Sequence, residues 1–126
     1  MERVTGIGGF FFKAENPAEL SEWYEKHFGI NRVPKTYEEE SWQQEAGPTV
    51  FDAFDDSNEF FGRFNKPWII NFRVNDLDAM VAQLKNAGIK IEVDPETYPN
   101  GRFAFLADPE GNPIQLWEAA GIDGDK

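Results

Sequence analysis

The sequence contains no cysteine, and this absence excludes several kinds of chemistry. Without cysteine the chain can form no disulfide framework, no thiolate nucleophile and no cysteine-ligated metal site. No apolar stretch is long enough to span a membrane. The first residues, Met1–Gly6, also lack the basic region and apolar run of a signal peptide. We therefore expect a cytoplasmic protein that has no membrane partner.

Positive charge and histidine are also scarce. Lys and Arg number 12 against 23 Asp and Glu, which gives a net charge of −11. Nucleic-acid binding needs a basic face, so this balance argues against it. The single histidine, His27, falls near the end of a predicted helix, where it more often faces solvent or favours the helix C-terminus than binds a metal. Aromatic residues are plentiful instead, with 12 Phe and 4 Trp, which favours a core or pocket built from rings.

Two helices are predicted from their capping residues. Asn16 precedes Pro17 and an apolar stripe that ends at Gly29. Asn75-Asp76 precede a second stripe that ends at Gly88. The separation between Asn16 and Asn75 in the sequence equals that between Gly29 and Gly88. The chain therefore repeats one pattern of elements. Such a repeat predicts two modules that share a core.

Alternating and β-branched or aromatic runs predict strands around each helix. The predicted strands are 4–14, a short one from Val33, 41–46 and 49–54 in the first half, and 68–74, 89–93, 103–107 and 114–118 in the second half. We therefore predict an α+β fold of two βαβββ modules that form a cupped mixed sheet. The whole chain, 1–126, is one domain, with module 1 at about 4–56, module 2 at about 67–119 and a polar linker between them.

Three motifs carry a family resemblance. They are Asn16-Pro17 leading to Trp23-Tyr24 and Phe28-Gly29, Phe72–Leu77 leading to Ala87-Gly88-Ile89, and Asp108-Pro109-Glu110-Gly111-Asn112 leading to Gln115–Glu118. In this order the chain resembles the vicinal oxygen chelate superfamily, which includes glyoxalase I, bleomycin-resistance proteins and extradiol dioxygenases. The resemblance implies the cupped fold and a ligand site inside the cup. Such proteins commonly assemble their cups across module edges, within a chain or between chains, and together with an open sheet edge this favours a homodimer.

The resemblance also implies where a metal would bind. Metal-dependent members use two ligands from each module, and the matching positions here are Gly9, Asp52, Ile69 and Gln115. Gly9 and Ile69 carry no donor atom, and a catalytic metal generally takes three or more protein ligands. We therefore favour no cofactor. If a divalent metal is present, Asp52 and Gln115 are its candidate ligands.

The two-residue period of a strand then predicts which side chains line the cup. In the first strand it turns Phe10, Phe12 and Ala14 towards the helix. In the last strand it puts Gln115 and Trp117 on one face and Glu118 on the other. The predicted ligand-binding residues are Lys13, Trp42, Gln44, Asn71, Gln115 and Trp117, and the candidate catalytic residues are Asp52 and Arg73.

Three functions fit these residues. The favoured one is a metal-independent protein that binds a small organic molecule, as the bleomycin-resistance resemblance implies. The second is a metal-dependent lyase, isomerase or dioxygenase with a divergent ligand set. The third is a metal-free enzyme in which Asp52 acts as a base and Lys13 or Arg73 stabilises an anionic intermediate.

Overall fold

Over the residues that the structure describes, the chain folds into two α-helices and one mixed sheet. A computed structural model describes residues 1–59, 61 and 66–124. In chain order the elements are α1 (Pro17–Phe28), β1 (Ile70–Arg73), α2 (Leu77–Asn86), β2 (Glu92–Val93), β3 (Gly101–Ala107) and β4 (Pro113–Ala119). The strand order is β1-β4-β3-β2, with β1 parallel to β4 and the other pairs antiparallel. The predicted α+β class is confirmed, and the elements from β1 to β4 follow the predicted order βαβββ.

Helix α1 begins and ends at the predicted residues. The Asn16 side chain accepts a hydrogen bond from the Glu19 amide at 3.3 Å, and Pro17 occupies the first helical position. Gly29 ends the helix with φ 72°, a backbone conformation that only glycine adopts without strain. One face of α1 is buried through Leu20 and Tyr24.

Helix α2 packs on the sheet through Leu77, Val81 and Leu84, which are buried. It begins at Asp76, whose side chain accepts from the Ala79 amide at 3.0 Å. The Glu118 carboxylate on β4 accepts from the Leu77 amide at 2.8 Å, which satisfies a second free donor of the first turn. Glu118 therefore lies on the helix side of the sheet, as strand alternation predicts.

The core lies between the two helices and the sheet. Both helices and the two central strands, β3 and β4, contribute to it. Burial of each large aliphatic side chain here stabilises the fold by about 1.5–3 kcal/mol. The buried residues are Leu20, Tyr24, Leu77, Val81, Leu84, Ala104, Leu106, Ile114 and Leu116.

The turn between β3 and β4 joins α1 to the sheet. Asp108 is buried, and its carboxylate accepts from the Glu110 and Asn112 amides, the Asn112 side chain and the Tyr24 hydroxyl. The Tyr24 bond is 2.6 Å long. Gly111 has φ 81°, as the predicted turn requires. Burial, followed by the bond to Asp108, raises the pKa of Tyr24 far above its ordinary value.

The same turn also holds the start of α1. The Glu110 carboxylate accepts from the Glu15 amide at 2.7 Å and from the Asn16 amide at 3.0 Å. A carboxylate at a helix N-terminus is favourable, because the free amides and the helix dipole are both positive there. The turn that starts β4 therefore fixes the position of α1 over the sheet.

The strands predicted in the first half do not form. Within residues 1–59, all of which the structure describes, α1 is the only α-helix and no strand is present. The predicted strands at 4–14, from Val33, 41–46 and 49–54 are therefore wrong. Their alternating side chains satisfy the local pattern, but a strand also needs a hydrogen-bonded neighbour, which local pattern does not supply.

Phe12 and Ala14 near the start of the chain nevertheless lie on the helix side, as predicted. Phe12 lies against Tyr24 of α1, with ring centroids 6.2 Å apart, and Ala14 packs on the core. Phe10 and Phe12 both contact Trp68, while Phe11 is 94% exposed. Alternation of faces therefore persists in a segment that lacks strand hydrogen bonds.

The division into two modules at 4–56 and 67–119 stays a prediction. Part of the predicted linker, residues 60 and 62–65, lies outside the described residues. In the part of the chain that the structure does describe, no helix is long and apolar enough to cross a bilayer. The cytoplasmic location also stays a prediction.

Candidate ligand-binding face

The sheet has one face covered by the helices and one that, among the residues the structure describes, carries no α-helix, and we call the second the open face. Buried residues such as Ile114 and Leu116 point to the helices, so their strand neighbours point the other way. Register then aligns the residues of the open face in two rows across the sheet. One row is Asn71, Gln115 and Phe105, and the other is Arg73, Trp117 and Phe103.

The first row contains a hydrogen-bonded amide pair. The Asn71 side-chain nitrogen donates to the Gln115 side-chain oxygen at 2.7 Å. Asn71 is exposed and Gln115 is half-buried. With this bond made, the Gln115 amide nitrogen keeps its donors and the Asn71 oxygen keeps its acceptor sites. The pair can therefore both donate to and accept from a small polar group.

The second row is aromatic. The rings of Trp117 and Phe103 are parallel within 3°, with centroids 6.4 Å apart, and Tyr98 meets Phe103 edge-on at 5.8 Å. The indole nitrogen of Trp117 donates to the Asn100 carbonyl at 2.9 Å. Trp117 is only 3% exposed. Trp117 is therefore a fixed part of the open face, and Phe103 and Phe105 are half-buried beside it.

Arg73 connects this face to the first half of the chain. Its guanidinium donates to the Glu45 carbonyl at 2.9 Å. A side chain built on Gly47 would overlap the same guanidinium. Residues 45–48, which we call the strap, therefore lie against Arg73 at the edge of the open face.

Four of the predicted site residues lie in the first half, on segments without strands. Lys13, Gln44 and Asp52 are exposed. Trp42 lies in a groove of about 590 Å³ beside the end of α1. The groove is lined by Glu25, Asn31, Arg32, Val33, Lys35, Glu39, Glu40, Ser41, Trp42 and Gln43. By contrast, the open face holds Asn71, Arg73, Gln115 and Trp117. The functional role of every predicted site residue stays a prediction.

Sequence reasoning missed the contributions of β3 and of the strap. Phe103 and Phe105 alternate with the buried Ala104 and Leu106, so strand alternation already contained the signal for their side. Nothing in the local sequence around Gly47 indicates Arg73 as its neighbour, because that contact depends on how the two halves pack.

Among the described residues, the positions that the family resemblance suggests are a poor donor set for a divalent metal. Of the four positions that the family resemblance suggests, Gly9 and Ile69 have no donor atom, and the Gln115 oxygen already accepts from Asn71. Across the residues the structure describes, no group of three or more His, Asp or Glu side chains could hold a metal ion. His27 packs against Trp23 on α1 instead, with ring centroids 5.3 Å apart. Burial, and then the charge of Lys26, lower the pKa of His27.

Comparison with known families identifies the class of this protein. The family model described as Glyoxalase/Bleomycin resistance protein/Dioxygenase superfamily matches residues 7–116. The chain belongs to this superfamily, as the three motifs predicted.

Individual relatives define the fold but not the activity. The chain is 46% identical over 50 residues to the uncharacterized protein YaeR of Escherichia coli K12, a match that spans only 37% of each chain. The structure of the present chain is similar to that of TnmS3, an antibiotic binding protein from Streptomyces sp. CB03234. The TM-score is 0.62 at 17% identity, and the match covers 95% of this chain and 100% of TnmS3. A protein from the mobile metagenome of V. Pseudocholerae is similar with TM-score 0.52 and 18% identity, covering 89% and 100%. At these identities the likeness shows a shared fold.

Proposed function

We propose that this chain binds a small organic molecule, of drug or antibiotic size, on the open face of its sheet and without a metal ion. The observation that carries the proposal is the pairing of the Asn71–Gln115 amides with the rings of Phe103, Phe105 and Trp117 on one face. Ligand sites are typically aromatic or apolar surfaces with a few fixed polar groups. The amide pair would orient the ligand, and Phe103 and Phe105 would supply most of the contact area beside the nearly buried Trp117.

Two further observations support this function. The donor groups described above are a poor set for the metal chemistry of the superfamily. The fold is also shared with TnmS3, which is an antibiotic binding protein. A fold hosts many functions, so the second point supports the proposal only by analogy.

A fragment screen by amide chemical-shift mapping tests the binding site. Aromatic fragments that bind should shift the amides of β3 and β4 on the open face. Phe105→Ala and Gln115→Ala should each weaken that binding about tenfold, since each removes a contact worth about 1–2 kcal/mol. Arg102→Gln is the matched control, because Arg102 is on β3 but pairs with Asp78 of α2 on the helix side. Fragment binding that the control weakens as much as the two variants would contradict the proposal.

Metal analysis tests the second part of the proposal. Protein purified without chelator should contain no stoichiometric Ni, Mn, Fe, Co or Zn. Its unfolding temperature should not rise when these ions are added, because a ligand that binds only the native state would stabilise it. A stoichiometric metal that is lost in Gln115→Ala would overturn the metal-free proposal.

We also propose that the protein is a homodimer. The first half exposes several large apolar side chains, including Phe11 at 94% and Phe51 at 91%. The parallel strand β1 lies at one edge of the sheet, and exposed edges and apolar patches both favour association.

Light scattering after gel filtration should give twice the chain mass. Phe11→Asp and Phe51→Asp should shift it towards the monomer, and the control Ile122→Asp, at a position beyond β4, should not. A monomeric wild type would refute the proposal.

A further inference from the structure

The strap lies beside the aromatic row of the open face. Arg73 faces Trp117 in the register of β1 and β4, and it holds the strap through the Glu45 carbonyl at 2.9 Å. Pro48 of the strap is half-buried, although the residues next to it are exposed. Trp117, on the open face, is 3% exposed. A ligand that lies along this row beside the half-buried Phe103 would therefore reach Arg73 and the strap.

The bond that closes the strap is one that a ligand could replace. The guanidinium has five donors in a planar fork, and it now donates to a neutral carbonyl oxygen. An anionic oxygen is a stronger acceptor, because charge-assisted hydrogen bonds are roughly twice as strong as neutral ones. An exchange from carbonyl to carboxylate would keep the guanidinium satisfied and would release the strap.

The dimensions of the row limit the kind of ligand. Neighbouring strands are about 4.8 Å apart, so Phe103, Trp117 and Arg73 span roughly 10 Å across three strands. A flat bicyclic aromatic molecule with one substituent fits that length. The rings would contact Phe103 and lie over the nearly buried Trp117, and the substituent would reach Arg73.

We propose that Arg73 is a ligand-exchangeable latch, and that the preferred ligands are planar aromatic molecules with an anionic oxygen group such as a carboxylate or phenolate. This inference rests on the proposed binding function of the open face. The Arg73 guanidinium would donate either to the Glu45 carbonyl of the strap or to the anionic group of a bound ligand. Gly47 would leave room for the guanidinium, because it carries no side chain. The net charge of −11 disfavours anions at long range, but at physiological salt such interactions are screened beyond about 8 Å.

Gly47→Ala and Arg73→Gln test the latch because they act on it in opposite ways. The added methyl group would overlap the far end of the Arg73 side chain, which is flexible and can move. We therefore expect Gly47→Ala to fold normally, to free the guanidinium from Glu45 and to raise the affinity for an aromatic acid several-fold. Arg73→Gln removes the cation and should lower the same affinity about tenfold or more.

The probes are 2-naphthoate, 2-naphthamide and 2-naphthylmethylamine, which share one ring system and differ in charge. Affinities are measured by calorimetry at 0.15 M salt for the wild type, the two variants and Phe105→Ala, with circular dichroism to confirm folding. The latch predicts that the wild type prefers the acid to the amide about tenfold, that Arg73→Gln abolishes this preference, and that Gly47→Ala strengthens it.

Other outcomes would overturn the inference. If the probes bind in a Phe105-dependent way but Arg73→Gln leaves the preference for the acid unchanged, the latch is wrong and the proposed function stands. A preference for the amine over the acid would also overturn the latch. If no probe binds in a Phe105-dependent way, both the latch and the binding face are wrong.

Discussion

Tyr24→Phe removes a single hydroxyl from the buried contact between α1 and the turn that starts β4. The hydroxyl donates to the Asp108 carboxylate at 2.6 Å, and Asp108 is only 5% exposed. A hydrogen bond to a charged group contributes about 1.5–3 kcal/mol, and its loss leaves a buried carboxylate with one fewer donor. We expect the free energy of unfolding to fall by about that amount.

Urea denaturation followed by tryptophan fluorescence measures this loss. The matched control is Tyr98→Phe, which also removes a hydroxyl bound to a carboxylate, that of Asp94 at 2.9 Å. The Tyr98–Asp94 pair lies closer to solvent, so its loss should cost clearly less. Both variants are compared at one protein concentration, because association would add to the apparent stability. If Tyr24→Phe costs no more than Tyr98→Phe, the turn does not hold α1 in the way inferred here.

Two further predictions follow from the pKa of Tyr24 and from the core. The folded-state pKa of Tyr24 is raised above its ordinary value of 10.0. The stabilisation from the Tyr24 hydroxyl is therefore full below about pH 10 and is lost as the pH rises further. Alkaline denaturation curves should accordingly show a steeper loss of stability above about pH 10 in the wild type than in Tyr24→Phe. Equal slopes would contradict this assignment. Leu84→Ala removes a fully buried side chain of α2 and should cost about 2–5 kcal/mol in urea denaturation, while the exposed Lys85→Ala should change stability by less than about 0.5 kcal/mol. A Leu84→Ala cost below 1 kcal/mol would show that the core is not packed as described.

The helices and the sheet in the second half of the chain could be predicted because their signals are local. Asn16, Gly29 and Asp76 stabilise helix ends through atoms a few residues away, so neighbouring sequence is sufficient. The turn at Gly111 and the alternation along β4 are local in the same way. The faces of Gln115, Trp117 and Glu118 then follow from the two-residue period.

The absence of strands from residues 1–59 could not be predicted from the same kind of signal. Residues 4–14 show an apolar alternation that the structure keeps in the contacts of Phe12 and Ala14. Whether the backbone pairs as a strand depends on which segment lies beside it, and this is a property of the whole fold. The same limit applies to Lys13, Gln44 and Asp52, whose predicted positions in the cup depend on those strands.

The sequence by itself therefore determined the class of this protein, its two helices, and the residues that β4 presents on each face. These features depend on caps, turns and periodicity over a few residues. The tertiary structure decided that Asp108 and Glu110 hold α1 to the turn, that Asn71 bonds Gln115, and that Arg73 meets the strap at Glu45 and Gly47. These contacts join residues far apart in the chain, and only the packing of helices and sheet brings their atoms within bonding distance.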